Sequence, residues 1–110
     1  MAQLTCRFAS QILEVTLSLS AIVPEHASAP SPVLYLLHGL SDDDSAWQRF
    51  SAIERYAENY GIAVVMPQVG RSYYTDMAFG PDWYRFLSEE LPVISARLFP
   101  ISTRREDTFV

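Results

Sequence analysis

Val33-Leu34-Tyr35-Leu36-Leu37 places five apolar residues in succession and runs straight into His38-Gly39. A strand with one wet face alternates. A continuous apolar run bounded by turn residues instead predicts a strand over 33–38 that is buried on both faces. Such strands belong to sheets with helices packed on either side, so this one feature points to an α/β chain. Gly39 lets the backbone turn sharply, and come close to another group, where the strand stops.

The segments before it follow a different rule. Leu4, Cys6 and Phe8 alternate with Gln3, Thr5 and Arg7. Val15, Leu17, Leu19, Ala21 and Val23 alternate with Glu14, Thr16, Ser18 and Ser20. Two adjacent stretches of period two predict an antiparallel pair, the longer one with a single wet face. The Pro-, Ser- and Ala-rich stretch 24–32 is a loop. Its Ala27-Ser28-Ala29 resembles a signal-cleavage site, but the preceding segment alternates and contains Glu14, so it is read as strand and loop.

After the strand at 33–38, Ser51-Ala52-Ile53-Glu54 fits a capping box that opens a helix. Ile53, Tyr56, Ala57 and Tyr60 fall on one face of that helix, and Gly61 stands where it would end. A second wholly apolar strand is expected over 62–66, stopped by Pro67. Trp83, Leu87, Leu91, Ile94 and Leu98 form a stripe at helical spacing, with Trp83, Phe86 and Phe99 read as core aromatics. Pro92 is expected to kink or divide this helix, and Pro100 to close it. Thr108-Phe109-Val110 reads as the start of another buried strand. The fold class is therefore α/β, an antiparallel strand pair followed by β-α-β-α-β with right-handed crossovers. The strand at 33–38 is expected between the one at 62–66 and the one beginning near Thr108. An abrupt stop inside an apolar strand suggests that residues 1–110 are the N-terminal portion of a single longer domain.

The formal net charge of −5 over 110 residues argues against nucleic-acid or anionic-membrane partners, which need a basic face. No run approaches the length of a membrane span. The lone Cys6 cannot form an internal disulfide, which favours a cytoplasmic setting. A dinucleotide or P-loop site would need a glycine-rich turn after the first parallel strand; here one Gly precedes three carboxylates that would repel phosphate.

Asp42-Asp43-Asp44 lacks the alternate spacing and the glycine of a calcium loop, so it reads as a solvated loop in which Asp44 or Ser45 caps a helical turn. No metal or cofactor is expected. His38 is of the general-base type, but a histidine at a buried strand end more often shapes the turn. His26 is read as solvated. Trp47, Tyr73 and Tyr74 are the substrate-side candidates, since a long loop at 67–80 follows the carboxyl end of a strand, where open α/β sheets bind ligands. Packing beneath that loop is the competing role for these aromatics.

Taken in order, Val33-Leu34-Tyr35-Leu36-Leu37-His38-Gly39-Leu40-Ser41, Trp47, Val64-Val65-Met66-Pro67, Tyr73-Tyr74-Thr75-Asp76, Glu89-Glu90-Leu91-Pro92 and the terminal Arg105-Glu106-Asp107-Thr108-Phe109-Val110 resemble one lineage. This is the esterase D and S-formylglutathione hydrolase branch of the α/β-hydrolases, with its small tributyrin-type acyl esterases. The resemblance implies the N-terminal part of an α/β-hydrolase fold and a carboxylic-ester hydrolase of small acyl esters. It also implies a Ser-His-Asp mechanism whose triad lies beyond residue 110. S-formylglutathione thioester cleavage is the alternative, and a non-catalytic structural or association module is the alternative of another class. In this family a backbone N–H just after His-Gly lines the oxyanion hole, which maps onto Leu40, with Gly39 making the turn. Gly39-Leu40-Ser41 lacks the closing glycine of a nucleophile elbow. The expected partners are a small acyl ester or thioester, and either a second copy or the missing C-terminal segment to cover the open strand edge.

No serine in these residues combines an elbow with a base. A serine-directed phosphonate is therefore expected to label none of them in the 110-residue chain. Stoichiometric labelling by mass spectrometry, at Ser41 or elsewhere, would overturn that reading.

Overall fold

A computed structural model describes residues 1–25, 30–38, 43–68 and 83–110 of the chain. The elements are β1 (Ala2–Ser10), β2 (Val15–Val23), β3 (Val33–Tyr35), α1 (Ala46–Phe50), α2 (Ile53–Tyr60) and β4 (Ala63–Pro67). They continue as α3 (Trp83–Arg85), a π turn (Phe86–Glu90), α4 (Leu91–Leu98), a 3₁₀ turn (Arg105–Asp107) and β5 (Thr108–Phe109). The five strands form one sheet in the order β1-β2-β4-β3-β5. β1 with β2, and β2 with β4, are antiparallel; β3 is parallel to β4 on one side and to β5 on the other. The expected placement of the 33–38 strand between its two parallel neighbours holds.

The chain leaves β3 for β4 and then returns across β3 to reach β5. Helices on opposite faces are what two crossovers of one hand require when the second runs back over the first strand. The sheet's side chains alternate accordingly. Leu19, Ala21, Val33, Tyr35, Ala63 and Val65 share a core with Phe86 and Leu91, while Ile22, Val64 and Met66 share another with Ala57 of α2. The single wet face expected of β2 is therefore lost over its second half. As an interior strand, β2 has Ser20 and Ile22 covered as well as Leu19 and Ala21.

Three local expectations change for physical reasons. Tyr56 and Tyr60, assigned to the inner face of α2, point outward, Tyr60 with 79% of its surface exposed; Ala57 alone is fully buried. Only a small side chain lets the helix approach a sheet face already filled by Val64 and Met66. The capping box is absent: Ala52 is the N-cap, the Ser51 hydroxyl donates to the Trp47 carbonyl, and Glu54 accepts from Gln3 Nε2 of β1. The C-terminus of α2 behaves as anticipated. Gly61 takes φ 65°, donating to Glu58 O, and Ile62 N–H donates to Ala57 O, so the terminal carbonyls are satisfied.

The third change concerns the manner in which the helix is interrupted at Pro92, which stands in the first turn of α4 after a π turn rather than after a break in the chain's helical path. Proline lacks the donor for the carbonyl four residues back and crowds it, and the preceding turn widens into a π turn to accommodate this. Leu91 N–H consequently bonds Phe86 O, five residues back. The extra residue rotates the inner face, so Phe86, Leu91 and Ser95 are buried while Leu98 of the predicted stripe is 53% exposed. Phe86 stacks on Phe8 of β1 at 6.0 Å and meets Trp83 edge-on at 6.2 Å. These contacts and the burial of Phe99 match the expectation for the core aromatics. β5 is paired as expected, but Phe109 is half exposed.

The π turn also ends on Glu90, which clasps the β1–β2 hairpin. Its carboxylate accepts the Ser10 hydroxyl and the Gln11 and Ile12 N–H groups, at 2.7 and 3.4 Å for the latter two. Ser10 Oγ in turn accepts from Leu13 N–H at 3.0 Å. These bonds hold a turn in which Glu14 adopts φ 56°, a left-handed conformation that costs a residue with a Cβ about 1–2 kcal/mol.

Phe86→Ala is expected to cost about 3–5 kcal/mol in chemical denaturation, because it empties the centre of the larger core. Tyr60→Ala should stay within about 0.5 kcal/mol, as an exposed substitution does.

Candidate active site

Because β3 and β4 run parallel, both release the chain at the same edge of the sheet. That edge is also where the connections diverge, since β4 lies to one side of β3 and β5 to the other. A topological switch point of this kind leaves a crevice outside the strand ends, where open α/β sheets bind their ligands. The ladder reaches Leu36, whose N–H bonds Val65 O at 2.9 Å, and the chain then passes through Leu37 to His38. His38 is only 3% exposed, which suits a residue that shapes the turn. Gly39 and Leu40, the expected oxyanion turn, lie outside the described residues, as do Tyr73 and Tyr74.

Trp47 stands at this edge. It lies on α1, and its indole N–H donates to the Leu37 carbonyl at 2.9 Å. The N–H is thus committed to the backbone, while the residue keeps 38% of its surface exposed.

The acidic run does its local work through Asp43 rather than through Asp44 or Ser45. Ser45 occupies the N-cap of α1 without a capping bond of its own. Asp43 Oδ1 instead accepts from Ser45 N–H at 2.9 Å and from the Ser45 hydroxyl at 2.6 Å. Arg49, one turn on, donates from Nε to Ser45 Oγ at 2.8 Å and places Nη2 3.6 Å from Asp43 Oδ1. Asp is the residue that bonds its own backbone two positions on. The Ser45 hydroxyl and amide hold the Asp43 carboxyl below the usual carboxylate range, with Arg49 adding to the effect. Among the described residues no group of three or more His, Cys, Asp or Glu side chains could hold a metal ion.

Sequence reasoning missed Gln68. It follows the last residue of β4, its N–H bonds Ser18 O at 3.1 Å, and its Oε1 is buried without a partner. A buried acceptor at the carboxyl edge of a sheet is a candidate for contact with a ligand's donor. Its only signal in the sequence is its place directly after an apolar strand.

Residues 10–107 match a family model described as "Putative esterase". The chain belongs to this esterase family. Within and around it, the chain is 27% identical over 121 residues to an acetyl esterase of Caldicellulosiruptor saccharolyticus, covering 100% of this chain and 46% of that protein. Its structure resembles FphF, a fluorophosphonate-binding serine hydrolase of Staphylococcus aureus, with a TM-score of 0.89 and 32% identity. It also resembles the S-formylglutathione hydrolase FrmB of the same organism, with a TM-score of 0.85 and 33% identity. Each comparison covers 97% of this chain and 45% of the other, so the chain spans about half the length of the esterases it matches. The α/β-hydrolase assignment made from the sequence is borne out. No helix among the described residues is long and apolar enough to cross a membrane.

The depressed Asp43 pKa gives its capping bonds a definite pH dependence. Their contribution is present above the unfolded carboxyl value and is lost as pH falls through the lower, folded one. The Ser45 amide resonance is therefore expected to titrate with a midpoint below that of an ordinary aspartate, and Asp43→Ala should abolish that step.

Proposed function

We propose that the protein containing this chain is a serine carboxylic-ester hydrolase of small acyl esters, acting in the cytoplasm. The observation that carries the reading is the switch point at the end of β3, occupied by a buried His38 within an esterase-family sequence. In this reading a serine beyond residue 110, activated by a histidine–aspartate pair also beyond it, attacks the acyl carbonyl. The carbonyl oxygen becomes an oxyanion, and the backbone N–H of Leu40, with a second N–H beside the serine, receives it. Gly39 makes the turn that presents Leu40. The intermediate collapses to an acyl-enzyme as the alcohol leaves with a proton, and water then releases the acid. Trp47 would wall the crevice through its ring faces, with Tyr73 and Tyr74 as further aromatic contacts.

Cleavage of S-formylglutathione is the second reading, favoured by the 33% identity to FrmB. It uses the same attack and the same oxyanion donors, with a thiolate as the leaving group.

Assays of the full-length protein separate the two activities. Short-chain p-nitrophenyl esters should turn over faster than S-formylglutathione; the reverse order would establish the thioesterase, and failure on both would end the hydrolase reading. Because the role of Leu40 is assigned to its backbone, Leu40→Ala should retain most activity. Leu40→Pro, which removes the N–H, should lose about 100- to 1,000-fold in kcat.

A further inference from the structure

We propose that Trp47 is a positioning residue for ester cleavage, acting through its indole N–H on the Leu37 carbonyl. The inference rests on the hydrolase reading above and adds to the ring's role as a wall. Leu37 lies one residue beyond the Leu36–Val65 bond, the last rung between β3 and β4 among the described residues. The indole N–H holds that carbonyl at 2.9 Å. Three residues later comes Leu40, the proposed oxyanion donor.

The holder is itself held. α1 has only five residues, too few to be stable from its own helical bonds. The Asp43–Ser45–Arg49 bonds fasten its start, and the Ser51 hydroxyl fastens its end by donating to the Trp47 carbonyl at 2.5 Å. With more than a third of its surface exposed, the Trp47 ring is not placed by burial alone. A short helix braced at both ends is bonded by its one aromatic donor to the strand end from which the chain runs on to Leu40. Oxyanion stabilisation depends on donors standing where the charge develops, and a displacement of about 1 Å can cost about 100-fold in rate. Losing the indole N–H therefore loosens the donor's placement in the transition state, with little effect on ground-state binding.

This separates the two roles of one side chain. Trp47→Phe keeps an aromatic face and removes the donor. In the full-length enzyme with p-nitrophenyl butyrate, it is expected to lower kcat about tenfold while KM stays within about twofold. Replacing Trp47 with 3-benzothienylalanine, which exchanges N–H for sulphur in the same bicyclic frame, should give the same split and covers the case in which the Phe variant folds poorly. Ser51→Ala should shift kcat in the same direction by less. A kcat within about twofold of the parent in both Trp47 replacements would overturn the proposal, and so would a rise in KM with kcat intact, which would leave only the wall. Hydrogen exchange of the Trp47 indole proton tests the bond without turnover. Slow exchange is expected, and exchange at the rate of a free indole would overturn the proposal. If the parent cleaves neither ester nor thioester, it is the hydrolase reading that fails, and the exchange result still decides the bond.

Discussion

Parallel pairing of β3 with β4 is the constraint on which the rest of the structure depends. Two strands that run the same way need a crossover, and a crossover places a helix over one face. A third parallel strand on the far side of β3 needs a second crossover over the other face. Every buried position in β4, from Ala63 to Pro67, follows from being enclosed by these two layers. The same pairing brings the carboxyl ends of β3 and β4 to one edge and parts their connections there. The switch point is a consequence of topology before any catalytic side chain is considered.

Around that frame, polar bonds join segments remote in sequence. Glu90 reaches from the π turn to the β1–β2 hairpin, and Gln3 of β1 reaches Glu54 of α2. Both draw the antiparallel half of the sheet onto helices that belong to the parallel half. The π turn serves two ends: it relieves the crowding that Pro92 would impose, and it directs Phe86 between Phe8 and Trp83. The Phe8–Phe86 stacking and the Glu90 clasp both join the hairpin to the π turn, so the hairpin is fixed by burial and by hydrogen bonds together.

Much of this was legible before folding. The antiparallel pair, the two buried parallel strands, the Gly61 cap and the order of strands about β3 follow from period, punctuation and crossover rules. The site was legible only in part. The proposed site was signalled by His38-Gly39, where a buried apolar run stops, and by Trp47 a few residues on. The destination of the Trp47 indole N–H was not legible, since a donor ten residues away in sequence could equally have faced solvent or a ligand. Gln68 was not legible either, because an amide after a strand carries no periodic signal.

The sequence by itself determined the kind and order of the elements, because alternation, apolar runs and glycine at positive φ act within a few residues. Tertiary structure decided which side of each element faces inward and which groups close its ends. Tyr56 and Tyr60 point outward since Val64 and Met66 already fill the space beneath α2, and Leu98 does so because the π turn rotates the helix after Phe86. Ser51 and Glu54 have the right spacing to cap α2. They bond Trp47 and Gln3 instead, because folding brings those partners within reach. A local pattern states what a residue can do, and the packed neighbours fix which of those options has the lower free energy.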